Sequence, residues 1–228
     1  MSFTSPEFDF APWRLSGVVY GTLLNDAAAL AALGDAVNAA PYKAPPRAPV
    51  LYLKPRNTLA SSGAAVTVPA GGALEVGAAL GIVIGRTACR VPAVQASQVI
   101  AGYVLVADLC LPHESFYRPS VRLRARDASC VFGARVVSAA ALPQPEALPI
   151  TVSVDGRAVH TAREVSWRRG VAQLLHEVTD FMTLATGDVL LLGVAAGAPR
   201  AQAGQRFAIE APGFERIEGQ VVAEAVAA

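Results

Sequence analysis

The residues able to do chemistry concentrate in PHESFYRPSVRLRARD (112–127). This stretch carries His113, Glu114 and Tyr117, together with Arg118, Arg122, Arg124 and Arg126. Arg122, Arg124 and Arg126 alternate at period two, so on a strand they share a face. Such a row has two readings. One is a solvated edge strand, which Lys and Arg commonly protect. The other is a guanidinium cluster for a small polyanion such as a dicarboxylate, because guanidinium meets carboxylates bidentately. His113 either lines a cleft or is an inert part of the charged loop. His160, on a hairpin strand, and His176, in a helical run, read as surface or satisfied core. A second stretch, LEVGAALGIVIG (74–85), holds a single carboxylate, Glu75, followed by Gly77, Ala78 and Ala79. It is the edge of a working site or the shell of one that has lost its chemistry. The phosphate-binding loop, HExxH, GxSxG and paired CxxC motifs are absent. Cys89, Cys110 and Cys130 have no CxxC spacing and read as free buried thiols of a reducing cytoplasm.

The elements that must position these residues are mostly strands. SGVVYGTLL (16–24), VLYL (50–53), AAVTVP (64–69), LEVGAALGIVIG (74–85) and GYVLVADL (102–109) read as strands. Asp26 can cap a helix reaching about Ala39. A short helix is expected over 91–103. TVSVDGRAVH (151–160) predicts a hairpin turning at Asp155-Gly156. Residues 166–184 predict a helix with Val171, Leu174, Leu175, Val178 and Phe181 on one face. ATGDVLLLG (185–193) is a turn and a strand, and two short strands close the chain. Residues 1–15 read as an extension and 16–228 as one β-rich domain with a few peripheral helices.

The bulk composition removes several classes of function. The 228 residues carry 19 Lys+Arg against 18 Asp+Glu, which gives no reason to expect a nucleic acid or an anionic membrane as partner. The 53% hydrophobic fraction suits a large buried sheet plus an oligomer interface. Uncharged runs such as Val91 to Ala107 are interrupted by Pro92, Gln95, Ser97, Gln98 and Gly102, so no apolar span of about 20 residues exists. The N-terminus, MSFTSPEFDFAPW, has no basic region followed by an apolar core, and a cytoplasmic location is expected.

Five stretches in a consistent order carry a resemblance: YKAPPRAPVLYLKPRNTL (42–59), VIG (83–85), IAGYVLVADL (100–109), ESFYRPSVRLRARD (114–127) and FMTLATGDVLLLG (181–193). Together they resemble the fumarylacetoacetate hydrolase family. More narrowly they look like the N-terminal subunit type of the isomerase/decarboxylases of 4-hydroxyphenylacetate degradation. The resemblance implies a mixed β-sandwich/roll and a homodimer, or a heteromer with a C-terminal-type subunit. It implies decarboxylation of 5-oxopent-3-ene-1,2,5-tricarboxylate and isomerisation of 2-hydroxyhepta-2,4-dienedioate, both through an enolate. It also implies Mg²⁺ or Mn²⁺, held by a Glu-x-Glu pair and an Asp.

Carried over by position, the Glu pair falls on Gly77 and Ala79, while the Asp is kept as Asp108. Glu75 lies one strand repeat away, a shift of about 6–7 Å. The family histidine falls near Ala29, its acidic partner within Leu30 to Ala32, and the family lysine at Arg124. A late Gly-Thr-Pro reads Gly193, Val194, Ala195. These departures imply that metal is absent or weakly held, with Asp108 a vestigial ligand. The resemblance assigns catalysis to Lys54, Glu114 and Arg124, and binding of the small di- or tricarboxylate to Arg56, Asn57, Tyr117 and Arg118. The alternative is a catalytically degenerate structural partner of a metal-bearing C-terminal-type subunit.

Overall fold

The alternating and apolar runs at 73–84 and 100–110 form the longest strands of the computed structural model, which describes residues 16, 18–117 and 120–225. In chain order the strands are β1 (Val19–Leu23), β2 (Val50–Lys54), β3 (Leu59–Ser61), β4 (Ala64–Val68), β5 (Ala73–Ile84), β6 (Ile100–Cys110) and β7 (Cys130–Ser138). They continue as β8 (Ile150–Val154), β9 (Arg157–Ala162), β10 (Val189–Leu191), β11 (Arg200–Gln202), β12 (Arg206–Glu210) and β13 (Ile217–Ala223). The α-helices are α1 (Ala27–Ala31), α2 (Val121–Arg124) and α3 (Val171–Phe181). This is the β-rich architecture with few helices that the sequence predicts.

The larger sheet runs β2-β1-β10-β5-β6-β7-β3, with β11 also on β5. Its two edge strands, β2 and β3, are joined directly by residues 55–58. A link from Lys54 to Leu59 reaches at most about 18 Å, whereas seven flat strands would set their edges about 29 Å apart. The sheet therefore curls into a roll. Val19, Val83, Val104, Val106, Phe132, Val189 and Leu191 form one buried cluster, the inside of the roll. The other face of β5 and β6 carries Leu74, Val76, Leu105 and Leu109. These pack on Phe207, Ile209, Ile217 and Val221 of the smaller sheet, β4-β13-β12-β8-β9. Farther along that same face, Leu80, Ile82 and Ile84 meet Val171, Leu174, Leu175 and Val178 of α3. Period-two alternation thus gives β5 two buried faces with different partners. No helix among the described residues is long and apolar enough to cross a membrane.

Local differences from the sequence expectations have physical causes. Asp26 does cap α1, its Oδ1 accepting from the Ala28 amide at 2.9 Å, but the helix stops at Ala31. Gly34 lies close behind at φ +51°, and residues 34–38 form only a 3₁₀ segment. Residues 93–99 are likewise 3₁₀ rather than α-helical. The late helix begins at Val171, and Phe181, expected on the apolar face, is 63% exposed in its last turn. Arg122 and Arg124 lie on α2 and Arg126 just beyond it, so the shared strand face does not form. Asp155 and Gly156 turn the β8–β9 hairpin with φ of +49° and +78°, as a type I′ turn requires. β7, paired along β6, corresponds to no element expected from sequence.

Close packing between the first two strands fixes the position of one aromatic ring. Gly21 of β1 stands opposite Tyr52 of β2, and a Cβ on Gly21 would lie 1.9 Å from the Tyr52 ring. Gly21→Ala must therefore push Tyr52 from its place. The expected loss is about 1–3 kcal/mol, read as a lower urea midpoint at unchanged slope. A change within about 0.5 kcal/mol would mean that the ring has room to move.

Candidate functional site

Inside the roll the apolar filling gives way, at one end, to charge. Lys54, the last residue of β2, has no exposed surface. Its ammonium lies 2.8 Å from Asp108 Oδ1 on β6. It also donates to the carbonyls of Leu109 (2.8 Å), Arg124 (2.8 Å) and Ser129 (3.2 Å) and contacts Ser129 Oγ at 3.2 Å. An ammonium has only three protons, which the carbonyl and hydroxyl acceptors use, so Asp108 Oδ1 is held by charge and has no hydrogen-bond partner among the described residues. Asp108 Oδ2 accepts a short hydrogen bond from the Tyr52 hydroxyl and faces Arg124 Nη1 at 3.6 Å. The Arg124 guanidinium lies over the Tyr52 ring, 4.5 Å from its centroid.

The electrostatics of this cluster follow from burial and pairing. Burial raises the Asp108 pKa, but the charges of Lys54 and Arg124 outweigh it and hold the carboxyl below its ordinary range. Burial, then the Asp108 charge, pushes the Tyr52 phenol well above its usual value, so it stays a donor. Burial lifts the Cys110 thiol to about 12, which makes it a poor nucleophile. Within the cluster two cations, Lys54 and Arg124, face one carboxylate, Asp108, and the charge of Glu75 also acts on Arg124. Arg124 is buried, and its Nε has no hydrogen-bond partner among the described residues.

A cleft of about 340 Å³ opens over this cluster. Tyr52, Asp108, Cys110 and Arg124 line it, with Glu75 and Gly77 from β5 and His113, Glu114 and Phe116 from the following loop. Ala29 and Ala32 of the α1 segment and the loop Val194–Ala198 complete it. Asp26 joins those last two parts, since it caps α1 and its Oδ2 accepts from the Ala196 amide at 2.7 Å. A second cavity of about 330 Å³ shares Leu23, Tyr52, Phe116 and Arg124 with the first.

The residues singled out from sequence do not all converge. Arg124, Asp108 and Glu114 line the cleft, Glu114 being exposed. Lys54 lies within the ion cluster and is not part of the lining. Arg56 is exposed and donates to the Ser16 carbonyl at 3.1 Å. Asn57 donates to Ala125 O and Asp127 Oδ1, pinning the chain before β7. Tyr117 lies edge-on to Tyr42 and borders the second cavity. Arg118 lies outside the described residues. Arg122 is exposed, and Arg126 pairs with Glu224. Of the histidines, His113 reaches the cleft, while His176 contacts the Val91 carbonyl. Tyr52 is a site residue that the sequence reading does not name, although it stands two residues before Lys54 and so shares its strand face.

The residues present do not fit a divalent metal of the Glu-x-Glu type. A Cβ on Gly77 would lie 2.6 Å from the Asp108 carbonyl oxygen, so a glutamate there requires the backbone to move. Ala79 is 1% exposed inside the roll. Asp108 is already committed to Lys54, Tyr52 and Arg124. Among the described residues no group of three or more His, Cys, Asp or Glu side chains could hold a metal ion.

Comparison with known proteins agrees with this architecture. The profile of the family described as fumarylacetoacetate (FAA) hydrolase C-terminal matches residues 18–222. The 4-hydroxyphenylacetate degradation bifunctional isomerase/decarboxylase of Escherichia coli is 36% identical over 92% of this chain and 48% of its own length. The chain thus spans about half the length of the curated relatives it matches. Two solved structures share the fold. One is the 5-carboxymethyl-2-hydroxymuconate delta-isomerase of Mycobacterium smegmatis, with TM-score 0.76, 24% identity and coverage of 93% of this chain and 81% of that one. The other is the fumarylpyruvate hydrolase of Pseudomonas aeruginosa, solved with Mn²⁺ and pyruvate, with TM-score 0.76, 20% identity and coverage of 98% and 99%. The rolled sheet, the cleft at its mouth and a profile match over nearly the whole described chain lead to one assignment: this chain belongs to the fumarylacetoacetate hydrolase family.

Proposed function

We propose that the chain is a subunit of an isomerase/decarboxylase that acts on 2-oxo or 2-hydroxy-diene dicarboxylates through an enolate, with protein cations in place of a metal. The substrates are 2-hydroxyhepta-2,4-dienedioate and 5-oxopent-3-ene-1,2,5-tricarboxylate. The observation that carries this reading is Arg124, a buried guanidinium that lines the cleft and whose Nε has no hydrogen-bond partner among the described residues. Such a group suits a carboxylate or an enolate oxygen and cannot serve as a proton donor. Glu75 and Glu114 also line the cleft, so one carboxylate of the ligand seats towards Arg124 and away from them. Both reactions place negative charge on the oxygen of the 2-oxo acid end, at C2 of the dienedioate and C5 of the tricarboxylate, and a buried cation stabilises that charge as it develops.

Lys54 acts in this reading through Asp108 and Arg124, as an electrostatic support. Glu114, exposed at the cleft, exchanges protons with solvent. Tyr117, at the second cavity, contributes a contact to the distal carboxylate, and Arg56 and Asn57 hold the ends of the curled sheet together. The chain works as a homodimer or beside a C-terminal-type subunit that carries metal. A second reading, a catalytically degenerate partner of such a subunit, is favoured by Gly77, Ala79 and Ala29, which occupy the positions of the family's metal and proton-transfer groups.

The test is steady-state turnover of the dienedioate with Arg124→Gln and Arg124→Lys. A lost charged hydrogen bond of about 1.5–3 kcal/mol raises KM or lowers kcat/KM about 10- to 100-fold. Lysine, a point charge without the fork, restores part of this. Unchanged kinetics in a folded Arg124→Gln chain would remove Arg124 from the site, whereas a folded wild-type chain with no turnover would leave the degenerate-partner reading.

The ion pair gives a prediction with a definite pH window. The folded-state pKa of Asp108 is depressed. Its stabilisation is therefore fully present above the unfolded value of about 3.9 and is lost as pH falls towards the folded one. Asp108→Asn leaves the Lys54 charge buried and unpaired, at a cost of about 3–5 kcal/mol near neutral pH. In urea titrations the gap between wild type and Asp108→Asn should narrow below about pH 4. A gap that stays constant down to pH 2 would contradict the depressed carboxyl.

A further inference from the structure

We propose that His113 is the proton-accepting group of this cleft, taking the 2-hydroxyl proton of a bound 2-hydroxy-diene dicarboxylate. The inference rests on the functional reading above and adds a catalytic residue to it. The orientation of the imidazole is set by its two partners. Nδ1 lies 2.9 Å from the Leu111 carbonyl oxygen, which can only accept, so Nδ1 carries the proton. Nε2 lies 3.4 Å from Arg124 Nη2, which can only donate, so Nε2 presents a lone pair. The Leu111 amide is itself bonded to the Leu123 carbonyl at 2.9 Å, which fixes the ring's anchor to α2. Phe116 packs edge-on at 5.2 Å between centroids.

The contact between Nε2 and Arg124 is long for a hydrogen bond. A substrate carboxylate is a much better partner for the guanidinium. Its arrival draws Arg124 away and leaves Nε2 free beside the substrate. Substrate binding and exposure of the base are thereby one event. The other groups lining the cleft are less suited to the task. Asp108 is committed to three partners, Tyr52 donates to Asp108, and Cys110 holds its proton. Glu75 and Glu114 are carboxylates, a side-chain type less well matched than imidazole to proton transfer near neutral pH. Ala29, where the family histidine falls, borders the same cleft, so the base has moved from the α1 segment to the loop after β6.

The step balances without an oxidant or a second reactant. Nε2 takes the hydroxyl proton, the O–H bond breaks and C2=O forms. The C2=C3 electron pair becomes C3=C4, and the C4=C5 pair forms a C5–H bond with a solvent proton. The imidazolium then returns its proton to water.

The experiment follows turnover by ultraviolet absorbance and deuterium entry at C5 by NMR in D₂O, for the wild-type chain, His113→Gln and His113→Ala. Binding of heptanedioate, the saturated dicarboxylate of equal length, is measured on each by calorimetry. The expected result is a kcat loss of at least about 100-fold in both variants with heptanedioate affinity within about twofold of wild type. Added imidazole should restore deuterium entry in His113→Ala. A His113→Gln chain with kcat within about threefold of wild type would overturn the role of His113 and leave the proposed function standing. Parallel loss of turnover and heptanedioate binding, with no rescue by imidazole, would also overturn it and make His113 a structural residue. A wild-type chain that binds heptanedioate but never turns over the dienedioate would instead overturn the functional reading, and this inference with it.

Discussion

A lysine with no exposed surface must find partners for its charge and for every proton, or the fold that buries it is not stable. Lys54 finds them by drawing three other parts of the chain to one point. Its ammonium meets Asp108 and Leu109 on β6, Arg124 at the end of α2, and Ser129 immediately before β7. Lys54 lies where β2 leaves for β3, so the bonds around it fasten the curl that the short 55–58 link demands. The charge that stabilises the curl also conditions the cleft. Asp108 meets Lys54 from within the roll, and Arg124 presents a second cation at the cleft. Stability and binding chemistry therefore share one ion cluster.

That arrangement keeps the cleft polar without the Glu pair that the family resemblance places at Gly77 and Ala79. In the carry-over from the family, the Glu pair stands on the inward face of β5. Here that face holds Gly77, pressed against the Asp108 backbone, and Ala79, sealed in the roll. The space and charge of two glutamates and a dication are replaced by close strand packing on one side and a guanidinium on the other. The contact of that guanidinium with His113 is long, at 3.4 Å, and is the one a substrate carboxylate would replace.

The main strands were legible because their signals are local. The β5 and β6 runs, the Asp155-Gly156 turn and the apolar stripe from Val171 to Val178 each declare themselves within a few residues. Asp108 and Arg124 could be named because they sit inside stretches that carry the family resemblance. What could not be read depends on the third dimension. Arg122, Arg124 and Arg126 have strand spacing, but the segment turns as a short helix and sends them in different directions. Arg56 and Asn57 stand beside Lys54 in sequence, yet the 3₁₀ turn over 56–58 carries them to the outside. Phe181 matches the helical period but falls at the helix end, where nothing covers it.

If protein cations make this cleft competent for enolate chemistry, no metal is needed for turnover. The deciding experiment is turnover of 2-hydroxyhepta-2,4-dienedioate by the purified chain alone, in excess EDTA and again with Mg²⁺ or Mn²⁺ added. Catalysis by protein cations predicts loss of the diene absorbance at the same rate in all three conditions. A chain that is silent in EDTA and active only with added metal would contradict it.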